Sequence, residues 1–140
     1  MPKVFKILSI DGGGILGLYS ADILAKIQYE FCHGAPLSQY FNLITGTSTG
    51  GIIALGLSIG KNASEIVSFY KHCGAEIFPK RKRRFLGVLK NKYSNKKLKL
   101  ALEDCLGNKT ISDCQTALCI PAIDAALGQP IVFKTNNNGR

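Results

Sequence analysis

Two histidines, no C-x-x-C pair, no internal repeat and no apolar run longer than the ten residues from Gly51 to Gly60 mark what this 140-residue chain does without. Each absence closes a class. Cys32, Cys73, Cys105, Cys114 and Cys119 are odd in number, with no C-x-x-C and no neighbouring histidine pair, so neither a disulfide framework nor a zinc site is suggested, and they read as reduced thiols, mostly core fillers. Lys6 breaks the apolar stretch Val4–Ile10, and Gly51–Gly60 is too short to span a bilayer, so neither a signal peptide nor a membrane helix is expected. A reducing, cytoplasmic setting fits. No metal or organic cofactor is implied, since no ligand cluster is visible.

Acidic residues are missing from one segment in particular. Ten of the 18 Lys and Arg residues lie between Lys80 and Lys99, where no Asp or Glu occurs; the other eight nearly balance the nine acids. The formal charge of +9 therefore describes one basic segment, residues 79–97, on a near-neutral body. Its "KRKRRF" core, Lys80, Arg81, Lys82, Arg83, Arg84 and Phe85, is either a solvated loop or a surface drawn to anionic lipid. Nucleic-acid binding ranks last, because no stacking row of aromatics accompanies the charge.

What is present is a globular composition, 46% hydrophobic, in a length suited to one domain. "KVFKILSI" reads as a strand, the glycine-rich "DGGGILG" as a turn, and Leu18–Phe31 as a helix. A loop around Gly34–Ser38 leads to the strand "FNLIT", which ends at Gly46 before the helix "TGGIIALGLSIG". Asn62 and Glu65 resemble a capping pair opening a helix that stops at Gly74; a further helix closes at Gly107; "QTALCIPAI" and "QPIVFK" are strands around a turn at Gly128. This alternation predicts an α/β fold with a mostly parallel central sheet and helices on both faces.

Two turns in this pattern carry chemistry. Gly46, Thr47, Ser48, Thr49 and Gly50 form G-x-S-x-G between strand and helix, where the glycines permit a tight bend that pushes the serine hydroxyl outward. The following helix directs its free N–H groups toward any anion formed there. The run Gly12, Gly13, Gly14, Ile15, Leu16, Gly17 sits at the end of the preceding strand and offers unshielded N–H groups to an oxyanion. Gly12, Gly14 and Gly17 also satisfy the dinucleotide fingerprint G-x-G-x-x-G, but that reading needs an acid about twenty residues on, and none occurs between Glu30 and Glu65. A serine–acid–histidine triad needs a histidine well after the serine; His33 precedes Ser48, and His72 lies on the helix ending at Gly74.

With "DGGG", then "GTSTGG", then "IFP" and "IPAIDAALGQPIVFK" in this order, the chain resembles the patatin-like phospholipases from Val4 to about Lys134. The resemblance implies a three-layer α/β fold and a lipid acyl hydrolase that uses a serine–aspartate dyad, acts on membrane lipid and needs no cofactor. It implies Ser48 as nucleophile, and Gly12, Gly13 and Gly14 with the Thr49 N–H as the oxyanion hole. Leu16 stands where the family usually carries Arg or Lys. The family's second catalytic residue, an aspartate in D-G-G or D-G-A, has no counterpart after Ser48, and Asp113 and Asp124 do not match its position. The 140 residues are therefore expected to be the amino-terminal part of a longer domain, inactive alone, with the general base unknown and outside them. The non-enzymatic alternative is a catalytically incomplete lipid-binding module. Peripheral contact with a membrane suits either reading.

Overall fold

The computed structural model describes residues 4–77 and 95–136. Four strands form one sheet: β1 (Ile7–Ile10), β2 (Leu43–Gly46), β3 (Ala117–Asp124) and β4 (Gln129–Lys134), in spatial order β1-β2-β3-β4. The first three run parallel, with Leu8 opposite Ile44 and Ile44 opposite Leu118, and β4 closes the edge as an antiparallel hairpin partner of β3. Gly128 makes that hairpin's turn at φ 64. The α/β class and the mostly parallel sheet agree with the sequence reading.

Five α-helices accompany the sheet among the described residues: α1 (Gly17–Cys32), α2 (Leu37–Tyr40), α3 (Thr49–Ser58), α4 (Ala63–Ile77) and α5 (Asn95–Leu106). The chain steps from β1 to β2 to β3 in one direction across the sheet, and right-handed crossovers place both helical connections on one face. α3 lies directly on the strands, with α1 and α4 packed behind it. That position explains its composition: it is apolar all round because it is covered all round. Ile44 and Leu118 from the sheet and Ile53, Ala54 and Leu57 from α3 are all within 1% of complete burial, each large side chain contributing about 1.5–3 kcal/mol. On the opposite face Ile7 and Ser9 are exposed and Leu43, Ala117 and Cys119 half-buried. The described helices thus supply the layer on one side of the sheet.

Three local readings need correction. The strand is shorter than "KVFKILSI", because Val4 and Phe5 precede the first ladder pair, Ile7 with Leu43, and are largely exposed. The expected loop at Gly34–Ser38 runs into the one-turn helix α2, whose Leu37 is fully buried. α4 does not stop at Gly74 but continues to Ile77. Gly74 is a packing glycine: a Cβ there would stand 2.6 Å from Ile15 Cδ1, so the missing side chain makes room for the glycine-rich turn. The capping pair holds, with the Asn62 N–H donating to Glu65 Oε2 at 2.8 Å.

Candidate active site

Because β1 and β2 are parallel neighbours, both glycine turns leave the sheet at the same rim. The register puts Ile10 beside Gly46, and the Thr47 N–H donates to the Ile10 carbonyl at 3.3 Å as the second turn begins. Ser48 then takes φ 53 and ψ −123, far from the left-handed helical well and rarely occupied by a residue with a side chain. The bend is possible only because its flanks lack Cβ atoms. One on Gly50 would collide with the carbonyls of Ile10 and Asp11, and one on Gly46 with the backbone of Gly50 and Ile10. Ser48 is exposed while Thr49, Gly50 and Gly51 behind it are buried. An exposed serine directly before a buried helix start is the placement that the G-x-S-x-G spacing leads one to expect.

The first turn is pressed against the second. A Cβ on Gly12 would lie 2.7 Å from the Thr47 carbonyl oxygen and 2.9 Å from Ser48 Cβ. Gly13 donates its N–H to Thr49 Oγ1 at 3.0 Å, so in this arrangement that donor is engaged within the protein. The N–H groups of Gly12, Gly14 and Thr49 meet no acceptor among the described residues. Gly14 to Leu16 form a short 3-10 turn leading into α1, with Leu16 69% exposed and Ile15 set against Gly74.

Sequence reasoning missed Tyr70. Its ring is 1% exposed, and its hydroxyl donates to the Thr49 carbonyl at 3.2 Å. A Cβ on Gly17 would stand 2.9 Å from the same oxygen. The phenol therefore fills the angle between the starts of α1 and α3, and burial pushes its pKa well above the ordinary tyrosine value. The i, i+4 spacing of Tyr70 and Gly74 was the available signal: α4 turns one face to both glycine turns.

The remaining polar candidates have structural partners. Asp124 accepts the Ala126 and Leu127 N–H groups at 2.8 and 3.2 Å in the β3–β4 turn. Asp113 caps a 3-10 turn through the Thr110 N–H and hydroxyl, which hold its carboxyl below the usual carboxylate range. His72 sits on the exposed side of α4, Nδ1 2.7 Å from the Ser68 carbonyl, and His33 ends α1 at φ 50. Among the described residues no group of three His, Cys, Asp or Glu side chains could hold a metal, and no helix is long and apolar enough to cross a membrane. A groove of about 330 Å³ along α5, lined by Leu98, Leu102 and Leu106, contains none of the site residues. Lys80 to Phe85 lie outside the described residues.

The family model for patatin-like phospholipases matches residues 8–139. A "cGAMP-activated phospholipase" of Vibrio cholerae serotype O1 is 35% identical, covering 95% of this chain and 42% of its own. One of the same description from Escherichia coli strain TW11681 is 36% identical, covering 98% and 41%. "Patatin-1-Kuras 2" of Solanum tuberosum is 32% identical, covering 98% and 39%. The chain spans about two fifths of the length of these relatives.

Proposed function

Since the chain belongs to the patatin-like phospholipase family, we propose that it carries the nucleophile half of a lipid acyl hydrolase, with Ser48 as the attacking residue. The single observation behind this reading is the exposed, strained Ser48 with the glycine loop packed on its Cβ. A carbonyl carbon brought to Ser48 Oγ places its oxygen toward the start of α3, where the Thr49 N–H and the N–H groups of Gly12 and Gly14 are open. Donors aimed at a developing oxyanion are worth about 2.7–4 kcal/mol each.

In the mechanism, an aspartate outside this chain takes the Ser48 proton as Oγ bonds to the acyl carbon, then returns it to the departing alkoxide. Water, deprotonated by the same aspartate, cleaves the acyl-enzyme and frees a fatty acid. The proposed substrate is a fatty-acyl ester of membrane lipid, met at a bilayer surface. Without the aspartate the serine is a weak nucleophile, so residues 1–140 alone are expected to be inactive.

The test is hydrolysis of phosphatidylglycerol vesicles and of p-nitrophenyl butyrate by the full-length protein, with and without cGAMP because two relatives are named for that activator. Ser48→Ala is expected to lose all turnover and all labelling by a fluorophosphonate while keeping its circular dichroism spectrum. Turnover equal to wild type would move the chemistry elsewhere. A protein that binds vesicles but never hydrolyses either ester would instead match the lipid-binding module.

A further inference from the structure

The hydrogen bond from the Gly13 N–H to Thr49 Oγ1 joins two segments 36 residues apart and is the side-chain link between the two turns of the site. Thr49 is 2% exposed. As the first residue of α3 its hydroxyl has no carbonyl of a preceding helical turn to bond, so it is free to reach sideways to the glycine loop. The residue is itself held on one more side. Its carbonyl accepts the Tyr70 hydroxyl from behind, and Gly17, by lacking a Cβ, leaves that phenol its place.

We propose that the Thr49 hydroxyl is a positioning group that clamps the glycine loop over the Ser48 turn. By accepting the Gly13 N–H it fixes the Gly12–Gly13 peptide plane, which lies between the planes that carry the Gly12 and Gly14 N–H groups, and so restrains the directions in which those two point. The proposal rests on the reading of Ser48 as nucleophile. It assigns the side chain of Thr49 a task separate from that of its backbone N–H. An oxyanion donor misplaced by about 1 Å can cost about a hundredfold in rate, while ground-state binding changes less. The clamp therefore acts on kcat and leaves KM alone.

Thr49→Val keeps the shape and removes the acceptor; Thr49→Ser keeps the acceptor and removes a methyl group. In the full-length protein with p-nitrophenyl butyrate, Thr49→Val is expected to lower kcat about ten- to hundredfold at a KM within twofold of wild type. Thr49→Ser is expected to restore kcat to within a few fold. Wild-type kcat in Thr49→Val, or an equal fall in Thr49→Ser, would overturn the clamp. Should Thr49→Val lose its cooperative melt, Thr49→Cys, whose thiol accepts a hydrogen bond weakly, takes its place with the same two outcomes. Ser48→Ala in the same assay separates the two ideas. An inactive Ser48→Ala beside an unimpaired Thr49→Val removes the clamp alone, whereas an active Ser48→Ala removes both.

Discussion

Replacing Ser48 by glycine should make the protein more stable than replacing it by alanine, the reverse of the usual order. Ser48 holds φ 53 and ψ −123, and its side chain makes no capping hydrogen bond at the start of α3. Its exposed hydroxyl therefore contributes little to folding, and Ser48→Ala keeps the Cβ and with it the whole backbone strain. Strain of this kind costs about 1–3 kcal/mol. Glycine releases it, while its greater freedom in the unfolded chain takes back about 0.4–1 kcal/mol. The expected gap is about 1 kcal/mol in favour of Ser48→Gly, near 3 °C in melting temperature for a domain of this size. Urea unfolding followed by circular dichroism reads it as a higher midpoint at unchanged slope. Both variants lack the proposed nucleophile, so activity does not enter the comparison. A Ser48→Gly protein no more stable than Ser48→Ala would show that the turn is unstrained, and the account of an exposed hydroxyl forced outward by the bend would fail with it.

Two further perturbations probe the surroundings of the same turn. Gly12→Ala puts a methyl group 2.7 Å from the Thr47 carbonyl oxygen and 2.9 Å from Ser48 Cβ, so the loop has to move away; kcat should fall at least about a hundredfold with the cooperative melt retained, and normal turnover would refute the close packing of the two turns. Tyr70→Phe removes the bond to the Thr49 carbonyl, at a cost of about 1 kcal/mol, and flattens the alkaline limb of stability. The sign follows from burial: the folded phenol has a raised pKa, so its contribution is complete below pH 10 and declines above it as the unfolded chain ionises. Urea midpoints measured from pH 8 to 11 should fall more steeply for wild type than for Tyr70→Phe, and parallel curves would contradict the buried hydroxyl.

What could be read from the chain in advance was whatever a local spacing encodes. Gly46 and Gly50 around Ser48 announce a sharp strand-to-helix bend because no other residue permits that approach, and the structure places Ser48 on it. Gly107 and Gly128 take φ 64 at the ends foreseen for α5 and the β3–β4 turn. Where two distant segments meet, the same kind of reasoning fails. Gly74 looks like a helix stop until Ile15 is seen to occupy the space its side chain would need. Tyr70 reads as one more apolar residue of an amphipathic helix, since its hydrogen bond to Thr49 depends on how α4 crosses α3. From sequence, Thr49 offers an N–H; that its hydroxyl engages Gly13 is visible only once both turns are in place.

Sheet geometry also constrains where the proposed catalytic base can come from. Cys119 of β3 lies opposite Thr45, one residue before the Ser48 turn opens, and β3 then runs five residues on to Asp124, about 16 Å of extended chain. That length carries the Asp124 carboxylate past the rim, where two N–H groups of its own turn hold it. Asp113 precedes the start of β3, which pairs with the start of β2, and so belongs to the opposite end of the sheet from Ser48. An aspartate serving Ser48 as proposed would have to end near the level of Gly46, where β2 gives way to the Ser48 turn. Gly12 already packs against one side of Ser48, so under this reading the base would approach the hydroxyl from another side.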